Sequence, residues 1–154
     1  MKLLIFAIGN DRYGLRTDSI IRVLPMLALS RLAHAPDYVA GLMNYRSAQV
    51  PVIDLQMLIC GIPCEARFDT RIIVVDYAGP DGAHHLLGLM AEQVVGIHGS
   101  DERTLVDAGV ARAAAPYLGK ITVDRVNIVQ MIEVDQLLPE AVRAILFQPQ
   151  EVPC

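Results

Sequence analysis

Gly41-Leu42-Met43-Asn44-Tyr45-Arg46-Ser47-Ala48-Gln49-Val50-Pro51-Val52-Ile53-Asp54 decides how the rest of the chain is read, because two apolar runs here flank a short polar segment carrying one arginine. Leu42, Val50, Val52 and Ile53 have the character of half-buried strands, while Asn44, Arg46, Ser47 and Gln49 bring turn-forming and solvent-facing chemistry between them. The stretch therefore predicts a β-hairpin with a charge at its turn. Pro51 has no amide donor, which places the hairpin at a sheet edge or at a position whose N–H no neighbour needs.

Outward from this hairpin the chain keeps the same grammar. Leu3 to Ile8 is an apolar run of strand length, Gly9-Asn10-Asp11 is a turn, and Tyr13-Gly14-Leu15-Arg16 returns. Thr17 or Asp18 can cap a short helical turn, Ile21, Val23 and Leu24 form a strand ended by Pro25, and residues 26 to 40 read as irregular. After the hairpin, Leu55 to Leu58 predict one helical turn, stopped at Cys60-Gly61-Ile62-Pro63. Residues 61 to 70 form a turn-rich bridge.

The second half repeats the logic of the first. Arg71 to Tyr77 is a strand, Ala78 to Gly82 a turn, His84 to Met90 a strand with an internal glycine, and Val94, Val95 and Ile97 a further strand. Residues 99 to 116 are a connection with room for a helical turn. Leu118 to Val123 and Val126 to Ile132 make a closing hairpin about Asp124-Arg125, and Pro139 starts a helix with Val142, Ile145 and Leu146 on one face. Gln148 to Cys154 reads as a frayed tail. The duplication is architectural, with no residue-level repeat.

The chain has 154 residues, 53% of them hydrophobic and none tryptophan, so one aliphatic core of leucine, isoleucine, valine and methionine is expected without covalent staples. A net charge of -4 argues against nucleic acid or an anionic membrane as partner. Residues 1 to 66 hold six Lys and Arg against five Asp and Glu, whereas the remainder holds seven against twelve, so a partner of the second half is expected to be basic. Three cysteines, with Cys60 and Cys64 lacking a second ligand pair, read as reduced thiols in cytoplasm rather than as a zinc site. No signal peptide and no apolar run near the roughly 20 residues of a bilayer span is present, and the expectation is a soluble cytoplasmic protein.

No G-x-S-x-G elbow, G-x-x-x-x-G-K-[ST] phosphate loop or G-x-G-x-x-G turn occurs, and no catalytic or metal-ligating residue is assigned. His84 and His85 are adjacent, so on a strand they point to opposite faces and do not chelate one ion. Asp76, Asp81, Glu92 and Asp101 read as solvated carboxylates. Met26, Met43, Met57, Met90 and Met131 read as core fillers. Met43 and Tyr45 alternate with Leu42 and Asn44 beside Arg46, so one face of this strand is a candidate docking patch.

The wording of Pro36-Asp37-Tyr38-Val39-Ala40-Gly41 through Asp54-Leu55, a proline and aromatic followed by G-x-x-N-x-R-[G/S] and V-P-V-I-D-L, resembles the CheW adaptor family of bacterial chemotaxis. Phe6 to Leu15 resembles the family's opening, and Gly119, Asp124, Arg125, Ile128, Asp135, Leu137 and Leu138 keep the outline of its closing hairpin. The resemblance implies an all-β fold of two intertwined five-stranded SH3-like β-barrels with a shared apolar seam. The boundaries expected are a first barrel over about 1–66, a second over about 67–138 and a C-terminal helix over about 139–147, in a single domain over 1–154. It further implies a non-catalytic scaffold without cofactor that joins the cytoplasmic tip of a chemoreceptor to the regulatory domain of a CheA-type histidine kinase. Carried onto this chain, Asn44, Arg46, Ser47, Leu42 and Met43 become the receptor contact and Val50 and Val52 the kinase contact. Ser47 replaces the glycine that usually follows the arginine, and Gln56 replaces a usual arginine, which leaves room for a divergent or non-motility array. The alternative from another class is a small-molecule-binding β-barrel sensor.

Overall fold

The computed structural model describes residues 1–65, 67–78, 82–99, 102–107, 115–124 and 127–147. Ten strands run in the order β1 (Lys2–Ile8), β2 (Asp11–Arg16), β3 (Ile20–Pro25), β4 (Val39–Tyr45), β5 (Ala48–Asp54), β6 (Arg71–Ala78), β7 (His84–Ala91), β8 (Gln93–Gly99), β9 (Leu118–Asp124) and β10 (Asn127–Ile132). Helix α1 (Leu55–Cys60) follows β5, α2 (Glu140–Leu146) closes the described chain, and 3-10 turns occupy Thr17–Ser19, Glu102–Thr104 and Val134–Gln136. The expected turns at 78–82 and 124–125 and the expected tail lie wholly or partly outside the described residues. No helix among the described residues is long and apolar enough to cross a membrane.

The strands form two five-stranded sheets, sheet I in the order β8-β1-β2-β10-β9 and sheet II in the order β3-β6-β7-β5-β4. These orders are the same order once β6 to β10 are matched to β1 to β5. Pair types match as well: β2 with β10 and β5 with β7 are parallel, and every other pair is antiparallel. Each sheet takes its two central antiparallel strands from one half of the chain and its remaining three from the other. The sheets do not divide the chain at residue 66: β1 and β2 pair with β8 to β10, and β6 and β7 with β3 to β5. The chain crosses from sheet I to sheet II through the Thr17–Ser19 turn and returns at Glu92, between β7 and β8. Thr17 and Asp18 lie inside that turn and do not cap it, although Ser19 Oγ donates to the Arg16 carbonyl at 2.9 Å.

Burial follows strand periodicity and shows why β1 and β6 read as unbroken apolar runs. Leu3 and Ile5 pack with Val129 and Met131 on one face of sheet I, while Leu4, Phe6 and Ile8 turn to the other face. In the same way Ile72 and Val74 pack with Met43, Tyr45, Val50, Val52 and Met90 on one face of sheet II, while Ile73, Val75 and Tyr77 face away. The two away-facing sets meet in one large cluster with Leu55, Leu137, Leu138 and Val142, which is the shared seam. Strands buried on both faces carry no polar alternation. At Gly14 and Gly88, equivalent positions of β2 and β7, an added Cβ would lie 3.0 Å from Val129 and from both Ile72 and Val52. Each sheet thus needs a glycine where side chains from both neighbouring strands converge. Of the predicted C-terminal helix face, Val142 is buried, whereas Ile145 is exposed.

Candidate functional site

The β4–β5 hairpin is the outer unit of sheet II. Leu42 spends its amide and its carbonyl on Ser30, each at 2.8 Å, so its pairing with Pro51 on β5 is not a hydrogen-bonded one. The donor that Pro51 lacks would point toward β7, and the β5–β7 ladder begins only at Val52. Pro51 is tolerated for that reason; β4, rather than β5, is the edge strand. Gly41 is set by the same contact, because at φ +147° an added Cβ would come within 2.5 Å of the Ser30 carbonyl oxygen.

At the other end of the hairpin Tyr45 pairs with Ala48, leaving Arg46 and Ser47 as a two-residue connection with φ of 50° and 68°. Positive φ at both central residues matches strand twist in such turns and favours Asn-Gly or Gly-Gly. A serine in this region costs roughly 1 kcal/mol relative to glycine, so Ser47→Gly is expected to raise stability by about 0.5 to 1 kcal/mol in urea unfolding. An unchanged or lower midpoint would show that the strain is not there.

The turn holds Arg46 out to solvent, its guanidinium 5.3 Å from the Tyr45 ring centroid. Such a contact contributes about 0.5 to 1 kcal/mol and restrains the fork without burying it. Asn44 is exposed beside its partner Gln49, Ser47 is exposed, and Leu42 is half-buried. These four side chains form one accessible patch at the tip and outer face of the hairpin. Met43 does not join it, being fully buried, and Tyr45 is only 8% exposed. Of the strand's two faces, the one carrying Met43 and Tyr45 is core and the one carrying Leu42 and Asn44 is accessible. Val50 and Val52, at 2% and 0% exposure, lie in the same cluster, so a direct kinase contact through their side chains is withdrawn.

Asp54, which in the sequence only ended the hairpin, organises the helix and loop beyond it. Its carboxylate is 5% exposed, caps α1 by accepting from the Met57 amide at 3.1 Å, and accepts from the Cys64 amide at 2.8 Å. The readable signal was an aspartate immediately before a short apolar helical run. Glu92 accepts from the Glu65 amide at 2.6 Å, and Asp76 holds His84 Nδ1 at 3.0 Å, so neither is the lone solvated carboxylate expected. His85 stacks on Phe147 with centroids 4.4 Å apart.

Burial, and then the Asp54 and Glu92 carboxylates, push the Cys64 thiol up to about 12, while Cys60 is exposed. At pH 8 the Cys64 thiolate is scarce, and iodoacetamide is expected to modify Cys60 at least about tenfold faster, as peptide mass mapping would show. Equal rates would mean that the loop carrying Cys64 opens freely.

The patch on the hairpin and the swapped sheets stand within a family of known architecture. The CheW-like domain model matches residues 2–142. The chemotaxis protein CheW of Klebsiella aerogenes is 29% identical over 99 residues, 60% of this chain and 60% of that protein. CheW of Helicobacter pylori is 31% identical over 71 residues, 46% of this chain and 42% of its own, and the protein FrzA of Myxococcus xanthus is 27% identical over 92 residues, covering 60% and 54%. The matched segments thus span less than two thirds of those relatives' length. The crystal structure of the scaffolding protein TtCheW from Thermoanaerobacter tengcongensis superposes with a TM-score of 0.79 at 20% identity, over 92% of this chain and 89% of that one, and shows the fold. With the family model covering nearly all of β1 through α2, this chain belongs to the CheW-like domain family.

Proposed function

We propose that the protein is a non-catalytic cytoplasmic adaptor that couples the tip of a chemoreceptor helical bundle to a CheA-type histidine kinase. Family membership and the names of its relatives support this reading over a small-molecule sensor. The observation that carries it is Arg46, displayed to solvent on a two-residue turn at the end of a buried hairpin. A planar guanidinium fork suits carboxylate and carbonyl groups on a helix-bundle surface. Asn44 and Ser47 add hydrogen-bonding groups, and Leu42 is the apolar neighbour. With Val50 and Val52 buried, the kinase contact falls to apolar side chains left exposed, among them Val123 and Ile128, which pair across β9 and β10 at 57% and 61% exposure.

Interfaces of this kind concentrate their energy in few residues. Arg46→Glu is expected to weaken binding of a receptor signalling fragment by about 2 kcal/mol or more, in calorimetric titration. The thermal midpoint should change little, since only an exposed cation–π contact is lost. If the variant bound the fragment as tightly as the parent, the receptor contact would not lie on this turn.

A further inference from the structure

Helix α2 lies against the seam with little of its own to keep it there. It has seven residues, and Pro139 caps it without a side-chain acceptor, whereas the similarly short α1 has the Asp54 carboxylate. A helix of two turns does not persist unaided in water, so its attachment is tertiary. Val142 is buried in the seam cluster, Leu146 and Phe147 pack at the border of that cluster, and Glu140 and Ile145 stay exposed. The Phe147 ring stacks on Tyr77, with centroids 5.5 Å apart, and on His85 at 4.4 Å. Tyr77 and His85 are cross-strand partners on β6 and β7, so one ring at the end of the helix clasps two strands.

The group beneath this clasp works against it. Tyr77 is 0% exposed, and its hydroxyl has no hydrogen-bond partner among the described residues. The Arg143 guanidinium on α2 lies near that hydroxyl without meeting it in hydrogen-bonding geometry. A donor that has lost water and gained no acceptor is destabilising, and releasing the helix that covers it returns it to water.

We propose that α2 is a latch on the seam: the Phe147 clasp closes it, the orphaned Tyr77 hydroxyl poises it to open, and its release bares the seam while both sheets stay folded. Glu140 and Arg143 form one side of a half-open hollow of about 780 Å³ whose other walls include Tyr38, Leu58 and Tyr117. Opening α2 removes that side. No strand pairs with α2, so release breaks side-chain packing and leaves every ladder intact. Segments held by few buried contacts open at a lower free energy than the whole domain.

Native-state hydrogen exchange of the full chain tests the latch. The Val142 and Arg143 amides both donate to the Pro139 carbonyl at 3.0 Å, and the Phe147 amide donates to the Arg143 carbonyl at 2.8 Å. These three are expected to exchange at least about 100-fold faster than the slowest amides of β6 and β7, at rates that do not rise in low urea. Phe147→Ala should leave them nearly unprotected and increase hydroxyl-radical labelling of Tyr77, while β6 and β7 stay protected and the circular dichroism keeps its β-type shape. Tyr77→Phe keeps the stacked ring and deletes the orphaned hydroxyl, so it should slow exchange in α2 by about tenfold. Exchange of α2 together with the strands, in one urea-dependent opening, overturns the proposal. So does Tyr77→Phe if it leaves α2 exchange unchanged or quickens it, because the hydroxyl would then be satisfied in the closed state.

Discussion

Val52→Asp is expected to abolish the folded state, with loss of the β-type circular dichroism spectrum at room temperature. Val52 is 0% exposed, pairs with Gly41 on one side and Gly88 on the other, and packs among Met43, Val50, Ile72 and Val74. No basic residue belongs to that cluster. An unpaired carboxylate there costs about 4 kcal/mol or more, a large part of the roughly 5 to 15 kcal/mol that holds a domain together. Val52→Ala, by contrast, should remain folded after losing about 1 to 3 kcal/mol, and its affinity for a kinase regulatory domain should equal that of the parent. A folded Val52→Asp with the parental melting temperature would place the side chain at the surface and restore it as a docking residue.

Val50 and Val52 are buried for a physical reason already visible in the chain. Val50, Pro51, Val52 and Ile53 are four apolar residues in succession, and a strand with both faces apolar is interior. Pro51 drew the reading toward an edge because a missing donor usually means one; here the donor is merely unneeded, and the edge belongs to β4. The duplication was legible from strand, turn and glycine in each half. The exchange of central strands between sheets was not, because an apolar run such as Leu3 to Ile8 says that both faces are buried and is silent about which strands cover them. Arg46 and Ser47 were readable as a turn, but without Asn-Gly nothing in them announced two positive φ values.

Asp54→Ala is expected to cost about 3 kcal/mol in urea unfolding, close to what two hydrogen bonds to a buried carboxylate contribute. Both oxygens are engaged, one by the Met57 amide and one by the Cys64 amide, while the residue's own amide donates to Tyr38. Alanine leaves the first two amides without acceptors where β5, α1 and the loop toward β6 meet. For a chain of this size the melting temperature should fall by about 6 to 12 °C. Asp54→Asn keeps one acceptor oxygen and turns an N–H toward the other amide, so its loss should be intermediate. The damage should also be local before it is global: hydrogen exchange should quicken at Met57 and Cys64, and the Cys64 thiol, no longer held down by burial and by the carboxylate, should become easier to alkylate. Because Arg46 sits at the opposite end of β5, receptor binding should survive under conditions where the variant remains folded. Parental unfolding and exchange in Asp54→Ala would mean that α1 and the loop hold themselves together, and that the aspartate ends the V-P-V-I-D strand without anchoring the helix beyond it.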